Sequence, residues 1–179
     1  MSRNGFEEFV SDSSPSLLRT AFLVAGDLDD AEDLVQEALL KVAKRWHRVR
    51  QMEQPAAFAR RVLINLALDE SRGANRRRTW RPLTGAAEDD RADHNAERAL
   101  DAVESRSELL LALSQLPPRQ RAALVLRYLE DLSEAQVAEA LDCSIGTVKS
   151  TTSRGLMRLQ TALQPVAPST KPDPEGVDL

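Results

Sequence analysis

The 179-residue chain has little of what several common classes of protein require. It contains one cysteine and two histidines. No internal disulfide can therefore form, and the soft ligands are too few for a structural zinc site. Seven glycines, 4% aromatic residues and few β-branched residues leave little material for strands. The sequence predicts no bound metal, no cofactor, and neither a β-sandwich nor a β-barrel.

Long apolar runs are also missing. No stretch approaches the roughly 18 residues that span a bilayer, and residues 1–5 lack the basic and then apolar pattern of a signal peptide. We therefore expect a cytoplasmic protein that does not insert into a membrane. Abundant instead are alanine, leucine, arginine and glutamate, which are strong helix formers. The composition predicts an all-α fold.

The formal net charge of −4 hides a strong segregation of charge along the chain. Residues 1–40 carry 2 basic and 9 acidic side chains, residues 41–81 carry 12 and 3, and residues 82–118 carry 3 and 8. A basic block of this density suits the phosphates of nucleic acid. The alternative is a solvated helix face without a ligand.

Apolar spacing predicts a helical bundle over residues 1–81. Residues 29–46 repeat apolar side chains at helical intervals as far as Trp46, with acidic residues at the start and basic ones at the end. Before this helix, Ser14-Pro15 resembles a helix start and predicts two shorter helices. After it, Pro55 opens a helix that Gly73 is expected to end near Arg72.

Two further segments and a second domain follow. Residues 82–99 are polar, acidic and without periodicity, which predicts a flexible linker. Residues 100–164 resume apolar periodicity as a second helical domain, which Pro117-Pro118 interrupts and restarts. The proline-rich residues 165–179 are expected to be a disordered tail. The predicted architecture is thus two small helical domains joined by an acidic linker.

The second domain contains the pattern of a helix-turn-helix. Ser133 and Gln136 form a candidate capping box, and a short turn through Asp142 separates that helix from the next. Small Ala138 suits a close crossing of the two helices. The expected inward residues of the second helix are Val148, Thr152, Leu156, Leu159 and Leu163.

The opposite face of that second helix is polar and basic. It comprises Lys149, Ser150, Ser153 and Arg154. A helix fits the major groove of DNA, where lysine and arginine reach guanine or phosphate and serine bonds to either kind of edge. These residues are the candidate base readers. The alternative is an ordinary helical hairpin with a solvated surface.

Two blocks of sequence resemble the extracytoplasmic-function (ECF) class of bacterial RNA polymerase sigma factors, and within it the SigE-like actinobacterial subgroup. AEDLVQEALLKVAKRW and FARRVLINLALDESR (residues 31–46 and 58–72) are similar to the family's region two. LPPRQRAALVLRYLEDLSEAQVAEALDCSIGTVKSTTSRGLMRL (residues 116–159) is similar to region four. Region four alone would be ambiguous, because many response regulators share its helix-turn-helix pattern.

The resemblance implies a sigma factor that binds core RNA polymerase and directs initiation at particular promoters. An anti-sigma protein is a further implied partner. The residues matching the polymerase-binding segment are Asp33, Leu34, Gln36 and Glu37. Those assigned to the minus-ten promoter element are Phe58, Arg60, Arg61, Asn65, Arg72, Arg76 and Arg77. The outward residues of the helix-turn-helix would read the minus-thirty-five element.

The sequence also fits other interpretations. Phe58 could stack on a DNA base or pack in the core, since it also fits the apolar stripe of its helix. A conventional helix-turn-helix regulator, which binds DNA without polymerase, is the main rival function. An enzyme is not expected, because the paired carboxylates are sequence neighbours that converge on nothing and no nucleophile signature is present.

Overall fold

The computed structural model describes residues 4–74 and 107–164, and within these ranges the chain is helical with no strand. The predicted linker and tail lie outside the described residues. The helices are α1 Asn4–Ala25, α2 Leu28–Ala43, α3 Trp46–Val49, α4 Pro55–Ala74, α5 over residues 107–114, α6 Pro118–Leu124, α7 Glu134–Ala140 and α8 Ile145–Leu163. A π-helical turn, Val125–Leu129, continues α6. None of the described helices is both long and apolar enough to cross a membrane.

The first helical unit consists of α1, α2 and α4 packed side by side. The apolar stripe predicted for α2 is confirmed, since Ala31, Leu34, Val35, Ala38 and Val42 are all buried. Asp27 caps this helix, its Oδ1 accepting hydrogen bonds from the backbone N–H groups of Asp29 and Asp30 at 3.0 and 3.2 Å. This cap offsets the unsatisfied donors at the helix start.

The prediction of two short helices around Ser14-Pro15 is wrong, because α1 is continuous through Pro15. The proline is exposed, so its ring faces solvent. Because proline has no backbone N–H, the helix lacks one hydrogen bond at this position. Ser14 instead donates its hydroxyl proton to the carbonyl of Val10 at 2.6 Å. Apolar packing on both sides of the proline, from Phe9 to Leu17, holds the two halves in one line.

The helix predicted over residues 29–46 ends earlier than expected. Helix α2 stops at Ala43, and Trp46 begins the short helix α3. The centroid of the Trp46 ring lies 5.2 Å from that of Phe6 and 5.0 Å from that of Phe9. Aromatic contacts of this kind favour the turn that brings Trp46 over the start of α1. At the other end of the bundle, α4 includes Gly73 and is described as far as Ala74.

The second unit consists of α5 to α8. The restart at Pro118 is confirmed, with Pro117 at the cap position of α6. The π-helical turn was not predicted: in it the N–H of Glu130 donates to the carbonyl of Val125 at 2.9 Å, five residues back. This wider turn buries Val125 and Leu126 while leaving Tyr128 and Leu129 exposed.

Both units contribute to one buried apolar cluster, which runs from α1, α2 and α4 into α6 and α7. The buried guanidinium of Arg121 links the two units by hydrogen bonds. Arg121, 8% exposed, donates from Nη1 to the carbonyl of Val24 in α1 at 2.8 Å and from Nη2 to those of Ser114 and Leu116 at 3.2 Å. The carbonyls of Val24 and Ser114 lie at the ends of α1 and α5, where helices leave acceptors unsatisfied and carry partial negative charge, and that of Leu116 lies in the turn after α5.

Candidate nucleic-acid interface

The helix-turn-helix forms as the sequence predicts. The Ser133 hydroxyl accepts from the N–H of Gln136 at 3.3 Å, and the Gln136 side chain accepts from the N–H of Ser133 at 2.9 Å, which completes the capping box. In the turn, the N–H of Cys143 donates to the carbonyl of Ala138 at 3.0 Å. Ser144 then caps α8. These local hydrogen bonds fix the angle at which α8 leaves the turn.

Asp142 stands at the turn position that requires left-handed backbone geometry. Its φ is 50°, a value that aspartate tolerates better than most residues other than glycine. Its side chain is 80% exposed. Cys143 is half-buried against the apolar cluster, in keeping with its expected role as a small hydrophobe.

Helix α8 packs on the unit through Val148, Thr152 and Gly155, all of which are buried. The expected inward positions Leu156 and Leu159 are half-buried. The expectation for Leu163 is wrong: it is 45% exposed, because it is the last residue of α8 and lies beyond the helices that cover the earlier turns. The inward face is therefore concentrated in the first half of the helix.

The opposite face of α8 presents the four candidate base readers to solvent. Lys149, Ser153 and Arg154 are exposed, and Ser150 is half-buried. Lys149 lies 3.5 Å from a carboxylate oxygen of Glu134, and the Ser150 hydroxyl donates to the carbonyl of Thr147 at 3.1 Å. A lysine held at the rim by one exposed carboxylate remains available to a stronger anion, since such surface pairs contribute little stability.

The candidate minus-ten residues divide into two groups. Phe58, Arg60, Arg61 and Asn65 lie on α4 and are each half-buried. Phe58 packs against the apolar cluster, which is the packing alternative raised from the sequence. Arg72 belongs to the last described turn of α4, and Arg76 and Arg77 lie outside the described residues.

The face of α4 that carries Arg60 and Arg61 borders the second unit. Arg61 Nη2 lies 3.4 Å from Asp142 Oδ1, and Arg60 Nε is buried without a hydrogen-bond partner among the described residues. The crevice between the helices is lined from the first unit by Gln54, Ala57, Arg60 and Arg61, and from the second by Leu132, Gln136, Glu139 and Ala140. Glu139 of the helix-turn-helix thus shares this crevice with the α4 arginines, and Asp142 lies against Arg61.

The four candidate polymerase-binding residues lie in the middle of α2. Asp33, Gln36 and Glu37 are exposed on one side of the helix, whereas Leu34 is 1% exposed in the core. Leu34 can therefore position this segment but cannot itself reach a partner. Glu37 pairs with Lys41 at 3.0 Å, and the neighbouring Leu40 is 62% exposed. The outer face of α2 is acidic with one apolar side chain.

The residues that join the two units were not predicted from the sequence. Besides Arg121, Arg19 on α1 donates from Nε and Nη2 to Oε1 of Glu130 at 3.2 and 3.1 Å. The Glu130 side chain is only 4% exposed. Burial lowers the pKa of Arg121 to about 10, which leaves it protonated at neutral pH. No local signal distinguishes these side chains from other arginines and glutamates.

No group of three or more histidine, cysteine or acidic side chains within residues 4–74 and 107–164 is placed to hold a metal ion. The site is instead a set of helix faces with contrasting charge. One basic and polar face on α8 is exposed, a second on α4 borders the helix-turn-helix, and an acidic face lies on α2.

Comparison with known proteins gives matches to both helical units. The family described as Sigma-70 region 2 matches residues 9–77, and that described as Sigma-70, region 4 matches residues 106–159. The chain is 37% identical over 160 residues to RNA polymerase sigma-E factor of Streptomyces avermitilis, covering 89% of this chain and 85% of that protein. It is 36% identical over 159 residues to the sigma-E factor of Streptomyces coelicolor, covering 88% and 85%.

Among solved structures, the chain is similar to one described as the sigma factor RpoE in complex with the anti-sigma factor NepR from Bartonella quintana. The TM-score is 0.68 at 24% identity, over 89% of this chain and 96% of that one. At this identity the likeness concerns the fold. It extends across both helical units.

Proposed function

This chain belongs to the sigma-70 family of RNA polymerase sigma factors, and we propose that it divides promoter recognition and polymerase binding among three of its helix faces. As a sigma factor it directs transcription initiation. We propose that α8 reads the minus-thirty-five element, that α4 engages the minus-ten element, and that the outer face of α2 binds core polymerase.

The observation that carries the proposal is the exposed polar and basic face of α8. The capping box and the Ser144 cap hold this helix at a fixed angle. Lys149, Ser153 and Arg154 then project from its N-terminal half, the part that enters the major groove in helix-turn-helix proteins. Arginine reading guanine is the commonest specific contact of this kind.

The α4 assignment is supported by the basic side chains of the helix itself and by the anchoring of its opposite side in the core. Extruding a base from the stack costs a few kcal/mol, which phosphate contacts and a stacking surface have to offset. Arg60, Arg61 and Asn65 share one helix whose buried side is anchored by Leu63 and Ile64. For Phe58 we propose a packing role, since it contacts the apolar cluster.

The α2 assignment is supported by its acidic outer face. Asp33 and Glu37 are exposed and close to apolar Leu40, a combination that suits a basic partner helix with an apolar contact. Leu34 would support this surface from beneath. Because core polymerase and promoters occur in the bacterial cytoplasm, the proposal includes a cytoplasmic location, and it includes no catalysed reaction.

An anti-sigma protein is a further proposed partner. The similar structure described as RpoE with NepR contains such a complex. We propose that a protein of this kind would regulate the present chain.

The test is transcription with purified core polymerase, followed by sequencing of transcript starts. We expect initiation at a defined set of sites when this chain is added and at none of them without it. A conventional regulator would bind its operator alone with nanomolar-scale affinity and would not confer initiation on core enzyme. That result would contradict the proposal.

A further inference from the structure

One carboxylate lies beside the exposed, basic face of α8. Glu134 is the first residue of α7, and its Oε2 lies 3.5 Å from Nζ of Lys149 on α8. The side chains of Glu134 and Lys149 are 43% and 63% exposed. The pair is therefore open to solvent on the side from which DNA would approach α8.

The fold of the helix-turn-helix sets the backbone positions of both partners. The capping box of Ser133 fixes the first turn of α7, which contains Glu134. One turn later Val137 is fully buried, and Val148, the residue before Lys149, is 1% exposed. The two helices pack against each other through this apolar side. Packing beneath the surface thus places the carboxylate within reach of the ammonium.

A guanine edge and a backbone phosphate place different demands on this pair. The lysine ammonium has three donors, so Lys149 can bond to Glu134 and at the same time to O6 or N7 of guanine, which are uncharged acceptors. A phosphate bound to Lys149 would instead bring a second anion close to the Glu134 carboxylate, and like charges repel. The pair therefore favours base contacts of Lys149 over phosphate contacts.

From this geometry we propose that Glu134 is a positioning residue for promoter recognition: it keeps Lys149 on base edges and away from phosphates. The inference rests on the proposed role of α8 in reading the minus-thirty-five element. It adds a carboxylate on α7, outside the reading helix, that determines specificity. Because phosphate contacts carry no direct sequence information, loss of this carboxylate should reduce selectivity between promoters.

The test uses core polymerase bound to the full chain and a promoter library in which the minus-thirty-five segment is randomised. Sequencing of barcoded transcripts gives the base preference at each position. The variants are Glu134→Gln, which removes the charge and keeps the shape, Lys149→Ala, and the two combined. Glu108→Gln is the matched control, since Glu108 is an exposed acid on α5 and its replacement changes the net charge equally.

We expect Lys149→Ala to identify the positions that Lys149 reads, as those where the preference for guanine falls. Glu134→Gln should lower the preference at the same positions by about two- to fivefold, the range set by an exposed ion pair. In the Lys149→Ala background it should have no further effect, because Glu134 acts through Lys149. Glu108→Gln should leave the preferences unchanged.

The salt dependence of binding gives a second readout. Without the carboxylate, Lys149 is free to contact a phosphate. Binding of the Glu134→Gln holoenzyme to one preferred promoter should then depend more steeply on KCl, with the logarithmic slope larger by about 0.9, the value for one added phosphate contact. A role in folding alone would not produce this steeper slope.

Several results would overturn the proposal. These are an unchanged preference profile or salt slope in Glu134→Gln, a loss of preference spread evenly over all positions, and a loss that persists in the Lys149→Ala background. The last result would mean that Glu134 contacts a base itself. If the wild-type chain initiates at no site, the proposed function fails, whereas initiation with any of these results refutes only the positioning role.

Discussion

Replacing Arg121 by methionine removes the buried guanidinium that joins the two helical units while keeping most of the side-chain volume. Two of its three acceptors, the carbonyls of Val24 and Leu116, are buried, and that of Ser114 is partly buried. A buried acceptor left without a donor costs about 1 to 3 kcal/mol. Methionine, on the other hand, avoids the desolvation of a charge. Two such acceptors would together cost about 2 to 6 kcal/mol. Because methionine avoids the desolvation cost, we expect the free energy of unfolding to fall by about 3 kcal/mol.

Urea unfolding followed by circular dichroism measures this loss, and Arg121→Lys is the matched control. Lysine keeps the charge but places it at one point, so it cannot bond to carbonyls of both α1 and α5 in the way a guanidinium does. Its stability should fall between those of the wild type and the methionine variant. If Arg121→Met lies within about 0.5 kcal/mol of the wild type, the usual range for surface substitutions, the guanidinium does not fasten the units.

The pH dependence of this difference follows from the lowered pKa of Arg121. Its pKa of about 10 in the folded chain lies below the ordinary value of an arginine side chain. As pH rises through 10, the folded chain therefore releases this proton before the unfolded chain does, and the desolvation cost then declines. Below that range both states are protonated. The stability difference between Arg121→Met and wild type should be constant from about pH 6 to 8. If this difference changed with pH in that range, a group other than Arg121 would be responsible for it.

Four further predictions concern separate parts of the structure. Gly26→Ala should lose about 1 to 2 kcal/mol in urea unfolding, because Gly26 has a φ of 85° in the connection between α1 and α2; equal stability would contradict this. Gly155→Ala should lose about 1 kcal/mol of stability in the same assay, since the added Cβ would lie 3.1 Å from Cγ of buried Leu124. As a control, Gly146→Ala on the open side of α8 should be neutral or slightly stabilising. Arg154→Ala should weaken minus-thirty-five recognition by about 1 to 3 kcal/mol in transcription across promoter variants, and an unchanged promoter ranking would reject its role. Reversal of Asp33 and Glu37 to lysine should reduce co-purification with core polymerase while circular dichroism stays unchanged, and full retention would exclude the α2 face.

The features that could be predicted from the sequence are those set by local chemistry. The spacing of Leu34, Val35 and Ala38 defines one face of α2 whatever it packs against. The capping box of Ser133 and Gln136 is likewise complete within four residues. The outward side of α8 follows from local spacing for the same reason, since it is the complement of a short apolar stripe.

The features that could not be predicted depend on contacts between distant segments. Pro15 has the local pattern of a helix start, but packing on both sides of it keeps α1 continuous. Trp46 fits the period of α2, yet contacts with Phe6 and Phe9 favour its position in a new helix. Arg121 bonds to a carbonyl 97 residues away, and no periodic pattern contains that information.

The arginines show why a charge count along the chain cannot by itself locate a DNA surface. Arg121 is buried on backbone carbonyls, and Arg61 faces a carboxylate of the second unit. Arg154 is exposed on α8. All three count equally in the net charge, but only a cation that can exchange its present acceptor for phosphate contributes to binding. For Arg61, a phosphate would have to compete with the carboxylate of Asp142, its exposed partner at 3.4 Å.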